Sequence, residues 1–213
     1  MNTIDHLFTT KIYKSQLRGR GSKTLNAELL QAIATLSHDD HAGRRWSEAH
    51  AYKGYTSYAS LDDLAWRMPE FQTLQSHLDA HVATFTTDLD YDLDGRILEL
   101  DSLWVNVLEP GGIHGAHIHP HSVISGTYYV YVPKGAAAIR FEDPRLTMMM
   151  AAPVRRATAR LENQSFVSVQ PKAGMIVLWE SWLRHDVPMN MSDEERISVS
   201  FNYRLAGEDA SAR

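Results

Sequence analysis

The chain has 213 residues, 44% of them hydrophobic and 22% charged, with a net charge of −5 at pH 7. That is enough chain to bury a core without disulfides or a structural metal, and the acidic balance disfavours nucleic acid as a partner. With no cysteine, no signal-type N-terminus and no apolar run of membrane-span length, the expectation is a cytoplasmic protein.

Residues 1–95 read as a helical and irregular part that packs on the core and does not fold independently. Leu25, Leu29, Leu30, Ile33 and Leu36 recur at helical spacing, with Ser22 and Thr24 placed to cap the start. A second helix opens at Pro69 and carries one apolar stripe of Phe71, Leu74, Leu78, Val82 and Phe85. Between the two, residues 44–47 and 54–58 read as a loop over the core. Residues 96–205 are different in texture. Short runs rich in β-branched and aromatic residues, at 103–108, 124–132, 137–141, 166–169, 175–179 and 196–203, are separated by Pro- and Gly-bearing turns. They predict a mainly β core within an α+β chain, a two-sheet jelly roll with the N-terminal helices packed on one sheet. Residues 206–213 read as a flexible tail.

Four of the 11 histidines, His114, His117, His119 and His121, fall within eight residues. Without cysteine, neutral imidazole is the best ligand available for a borderline transition metal. Side chains two apart in an extended segment share a face, so His117 and His119 can reach one ion together, and so can His119 and His121. His185 must come from a different strand. Two ligands from one short segment and a third from afar follow the logic of a facial triad, which leaves coordination positions open. The usual triad has a carboxylate in its second slot, where this chain has His119. A lone histidine would be read as a surface or structural residue, but four in so short a stretch favour a metal. His114 reads more readily as a solvated loop residue than as a partner that orients a ligand ring, and for His121 both remain open.

From His185 to Arg196, Pro188, Asn190, Ser192 and Asp193 signal a turn, so the segment reads as a hairpin bringing the chain back beside His185. Arg196 and Ser198 then share one face of the return strand. A guanidinium fork matches a carboxylate, and a hydroxyl adds a further bond, so the pair suits the far end of a keto-diacid whose near end chelates the metal. The competing reading pairs Arg196 with Asp193, Glu194 or Glu195 at the surface.

Trp104-Val-Asn106, His117-Ile-His-Pro120, Ser125-Gly-Thr-Tyr-Tyr129, Asp143-Pro-Arg145, Ser181-Trp-Leu-Arg-His185 and the run from Arg196 to Asn202 resemble the signature of a bacterial and phage family of 2-oxoglutarate/Fe(II)-dependent oxygenases, a branch of the double-stranded β-helix oxygenases. The resemblance covers about residues 103–204. It implies Fe(II) held by His117, the residue two further on and His185, with 2-oxoglutarate as cosubstrate and its distal carboxylate on Arg196 and Ser198. It also implies a tyrosine contact to the cosubstrate, for which Tyr129 is the choice and Tyr128 faces the other way, and a pocket-lining role for Asn106. His119 in the carboxylate slot departs from the wider superfamily, and Trp179-Glu180 stands where Phe-Pro is expected.

The activity so implied is an oxygenase, with hydroxylation as the expected reaction, acting on a small molecule or a side chain; a homodimer is compatible with the sequence. Residues 146–160 mix methionines with Arg155, Arg156 and Arg160. They read as a lid over the mouth, or as a solvated loop with its methionines on the core or in a dimer contact. Two rival functions remain: a three-histidine cupin-type dioxygenase, hydrolase or lyase that needs no 2-oxoglutarate, and a non-catalytic metal-binding jelly roll.

Overall fold

The computed structural model describes residues 2–207, so the expected tail lies, from residue 208 on, outside the described residues. Strand β1 (Tyr13–Gln16) is followed by helices α1 (Arg20–Asp39) and α2 (His41–Ala49), strand β2 (Gly54–Thr56), and helices α3 (Leu64–Arg67) and α4 (Pro69–Asp88). Then come β3 (Leu98–Leu108), β4 (His114–His117), β5 (Ile124–Tyr131), β6 (Ile139–Glu142), β7 (Phe166–Val169), β8 (Met175–Glu180), β9 (His185–Val187) and β10 (Arg196–Leu205). The strands form two antiparallel sheets, a larger one in the order β1-β8-β5-β10-β3-β2 and a smaller one in the order β4-β9-β6-β7. This is the jelly roll that the strand pattern predicts, and the cupin-like double-stranded β-helix that the family resemblance implies.

The larger sheet is covered on both faces, and strict alternation along β10 shows how. Ile197, Val199, Phe201 and Tyr203 face the helices, where they join Leu25, Leu29 and Ile33 of α1 and the α4 stripe from Phe71 to Phe85 in one core. Arg196, Ser198 and Ser200 face the other way, into a cavity between the sheets. A second, smaller core of Tyr129, Val177 and Trp179 from the larger sheet and Ile139, Phe141 and Val169 from the smaller one closes the rest of that space. The helices therefore hold the back of the sheet that carries half of the cavity wall.

Gly126 shows how tight the helix-facing side is. A Cβ there would lie 2.4 Å from the Phe201 ring and 2.6 Å from a Leu178 methyl group. We expect Gly126→Ala to destabilise the fold by about 1–3 kcal/mol through overpacking, read as a lower urea midpoint. An unchanged midpoint would mean that β5 can move away from its neighbours.

Several local expectations are corrected. Helix α1 starts at Arg20, and Ser22 and Thr24 do not cap it; their hydroxyls donate back to the carbonyls of Gly19 and Arg20. Gly19, at φ 97°, provides the turn into the helix instead. Leu30 is 39% exposed because it sits off the stripe that Leu25, Leu29 and Ile33 define. The loop expected at 44–58 contains α2 and β2. Asp40 makes it ordered by accepting the backbone N–H of Gly43 at 3.0 Å, which caps α2, and the Tyr55 hydroxyl at 2.9 Å.

The hairpin expected between His185 and Arg196 is not formed. β9 belongs to the smaller sheet and β10 to the larger, so the segment crosses between sheets. Buried Asn190 holds the crossing: its amide donates to the carbonyls of Leu108 and Glu194, and its backbone exchanges hydrogen bonds with Gly111 and Gly112. Turn residues were read correctly, but turn chemistry alone does not say which strand the chain returns to.

Residues 146–160 connect β6 to β7 as irregular, exposed chain. Met148 is 73% and Met150 95% exposed, so these two are not tucked on the core, and no residue of the segment lines the cavity. No helix among the described residues is long and apolar enough to cross a membrane.

Candidate metal centre and oxo-acid pocket

His117 ends β4 and stands directly opposite His185 in the antiparallel register of β4 and β9. His119 follows as the chain leaves the strand, its backbone N–H donating to the Ser181 carbonyl at 3.0 Å. The three side chains converge, with one ligand nitrogen from each lying within 4.8 Å of the others. His121 is excluded from this group because Pro120 and a positive φ of 67° at His121 itself turn its ring out to solvent.

Two of the rings have their tautomer set. His117 Nδ1 lies 2.7 Å from the Gly115 carbonyl and His185 Nδ1 2.9 Å from the Leu183 carbonyl. A carbonyl only accepts, so each Nδ1 carries the proton and each Nε2 is left as a lone pair facing the cavity. His119 Nε2 and His185 Nε2 face each other at 3.4 Å. Packing fixes the ring planes: Trp179 lies 4.6 Å from the His185 ring and Trp104 6.0 Å from the His119 ring.

The centre is also electrostatically prepared for a cation. Burial pulls the pKa of His119 down to about 3 and that of His185 to about 4, and crowding by the neighbouring imidazoles adds to both. Burial likewise lowers His117. All three are therefore neutral, ligand-competent bases at neutral pH. In the metal-free protein the sign follows from linkage: as pH falls below the ordinary histidine value of 6.5, the unfolded chain takes up protons that the folded one refuses. We expect stability to drop between about pH 6.5 and pH 4, less steeply in His119→Gln, as followed by urea midpoints. Parallel pH profiles would show that His119 is free to protonate in the fold.

His114 differs from the expectation of a solvated loop residue. It opens β4, stacks on the His117 ring at 4.7 Å and 21°, and is lowered to about 3 by burial first and then by His117, His185 and Arg196. It braces a ligand ring and lines the cavity. The pattern of histidines contains no mark that separates it from His121; only the β4–β9 pairing does.

Arg196 is 3% exposed, and no carboxylate lies within ion-pair distance of it among the described residues. The expected surface pairing with Asp193, Glu194 or Glu195 is absent. The guanidinium lies 4.9 Å over the ring of Tyr129, and its Nε is buried without a hydrogen-bond partner. Tyr129 Oη is also buried and unpartnered, whereas Tyr128 faces the helices and donates to Asn26 at 2.8 Å. Ser198 lines the same cavity. Asn106 lines it too, but its amide is engaged: Oδ1 accepts from Thr56 at 2.9 Å and Nδ2 donates to Ser200 at 3.0 Å. Tyr52, from the turn before β2, and Trp104 and Trp179 complete the wall and were not singled out by spacing. No Asp or Glu lines the cavity.

Residues 102–202 match a family described as "Putative 2OG-Fe(II) oxygenase". That segment is just under half of the chain. No curated protein matches the chain. Among solved structures, AviO1 from Streptomyces viridochromogenes is similar with a TM-score of 0.61 at 12% identity, covering 93% of this chain and 91% of that one. HygX from Streptomyces hygroscopicus, solved with nickel and 2-oxoglutarate bound, gives 0.59 at 12% identity, covering 96% and 90%. A Pseudomonas putida prolyl-4-hydroxylase gives 0.52 at 15% identity, covering 93% and 94%. At these identities the likeness is one of fold, and it extends over the helical N-terminal part as well as residues 102–202.

Proposed function

We propose that this protein is an Fe(II)- and 2-oxoglutarate-dependent dioxygenase that hydroxylates a small molecule or an accessible side chain. The observation that carries the reading is the charge of the cavity: a buried, unpaired guanidinium and three neutral imidazoles, with no acidic residue in the lining. A divalent ion on His117, His119 and His185 beside Arg196 puts three positive charges into a largely desolvated space. Burying unbalanced charge is costly, so the site calls for an anionic ligand that reaches both positions. A dianionic oxo-acid meets that requirement, and the orphaned Arg196 Nε and Tyr129 Oη are the donors it would satisfy. Iron and 2-oxoglutarate, when bound, supply the capacity to activate dioxygen and oxidise a C–H bond, with succinate and carbon dioxide as co-products.

The rest is the work of this chain's residues. His117 and His185, aimed by the Gly115 and Leu183 carbonyls, and His119 hold the metal. Arg196 and Ser198 hold the distal carboxylate, and Tyr129 donates its phenol proton to an oxo-acid oxygen. Asn106 acts through the wall by fixing Thr56 and Ser200. Trp104, Trp179, Leu108, Ile139 and Val187 exclude water from the reacting centre. The helical part, residues 1–95, serves as a buttress of the larger sheet and has no separate activity.

Addition of 2-oxoglutarate to anaerobic, Fe(II)-loaded protein should produce a weak visible charge-transfer band, and oxygen should then yield succinate. A three-histidine enzyme independent of 2-oxoglutarate, or a pure metal binder, would give neither.

A further inference from the structure

Tyr52 lies 50 residues before the segment that matches the oxygenase family, yet its ring stands in the cavity wall. Its backbone N–H donates to the Ser47 carbonyl at 2.9 Å, which ties the turn to the end of α2. The ring packs against Leu108, Ala137 and Val187 and meets His114 edge-on, at 5.7 Å and 80°. Those neighbours come from β3, the β5–β6 connection, β9 and β4, so the ring bridges the gap between the two sheets. Leu108 is also the register partner of Arg196 across β3 and β10, which puts Tyr52 at the end of the cavity where the guanidinium enters.

The hydroxyl of Tyr52 makes no hydrogen bond to any described residue, although burial raises the phenol's pKa and Arg196 is near enough to oppose that rise. A tyrosine used only as packing would be served equally by phenylalanine. The orphaned Arg196 Nε and Tyr129 Oη are buried in the wall of the same cavity, and Tyr52 adds a half-buried hydroxyl beside them. His114 lies between the Tyr52 and His117 rings, so Tyr52 stands one ring away from the histidine group and beside Arg196, where it bounds the space a ligand can fill.

We propose that Tyr52 is a specificity-determining residue that closes the pocket behind Arg196 and donates its hydroxyl to the carboxylate held there, restricting the cosubstrate to the length of 2-oxoglutarate. This rests on the reading that Arg196 binds an oxo-diacid. The ring sets the length and the hydroxyl adds a bond to the anion, so the two roles separate in different variants. A hydrogen bond to a charged group is worth about ten-fold or more in affinity.

The test titrates 2-oxoglutarate and its one-carbon-longer homologue, 2-oxoadipate, into the Fe(II)-loaded full chain by anaerobic calorimetry. Tyr52→Phe, which preserves the packing, should weaken 2-oxoglutarate about ten-fold with unchanged iron content. Tyr52→Leu, which shortens the wall, should move the preference toward 2-oxoadipate. Wild-type affinity and preference in both variants, with 2-oxoglutarate binding intact in the parent, would overturn the role of Tyr52 and leave the proposed function standing. Failure of the parent chain to bind either acid would overturn both.

Discussion

His185→Ala is expected to lose stoichiometric iron. His185 is 5% exposed, stands opposite His117 in the sheet register, and has its Nδ1 proton engaged by Leu183, so its Nε2 has no other partner than His119 across 3.4 Å. Removing one of three protein ligands should cost more than the ~10–100-fold that follows the loss of an outer hydrogen-bond partner. His117→Ala should behave alike. Metal content measured by mass spectrometry after dialysis against a weak chelator is the readout, with circular dichroism confirming that the fold is kept. Parent-level iron in His185→Ala would mean that the metal sits elsewhere.

The second large effect is at Arg196. Arg196→Ala should retain iron yet bind 2-oxoglutarate about 100-fold more weakly, roughly 3 kcal/mol, since it removes the charged half of a desolvated pair. Arg196→Lys should recover only part of the loss, because an ammonium keeps the charge without the fork. The ligand-free protein gives an independent check. Arg196 has no acidic partner to leave stranded, so Arg196→Ala should not show the large destabilisation that follows breaking a buried ion pair. Calorimetry under anaerobic conditions and a thermal melt of the ligand-free protein measure the two. Unchanged oxo-acid affinity would remove the reason for assigning 2-oxoglutarate to this pocket.

His119 is where the chain departs from the carboxylate of the usual triad. A third neutral ligand leaves the centre more positive, and no acid in the cavity lining offsets it; Asp186, whose charge reaches His117 and His185, is paired with Arg140. The charge balance of the site therefore depends on its ligands more than in a site with a built-in carboxylate.

Much of this was legible before any coordinates. The α4 stripe and the strands from 103 to 203 announced themselves because burial on one or two faces enforces a period, and period survives in sequence. His117, His119, Arg196 and Ser198 can be picked out for the same reason, since alternation along a strand puts residues two apart on one face, whereas Tyr129 follows only from the family resemblance. Where the reading went astray, no period was available. α2 and β2 were hidden in a segment whose order comes from Asp40 reaching Gly43 and Tyr55. The chain from His185 to Arg196 reads as a hairpin because turn residues mark a change of direction without saying between which strands. His114 reads as a solvated residue because its ring contacts come from His117 and Tyr52, neither of which marks it by spacing.

By itself the sequence determined which side chains share a face and which residue types could bind a cation and an acid, since both are properties of neighbours along one strand. Only the tertiary structure decided that His121 turns away while His114 is drawn in, that Arg196 has no acidic partner, and that Tyr52 lines the same cavity. Those facts arise where two sheets and a distant turn meet, and contact across such a distance leaves no period in the chain.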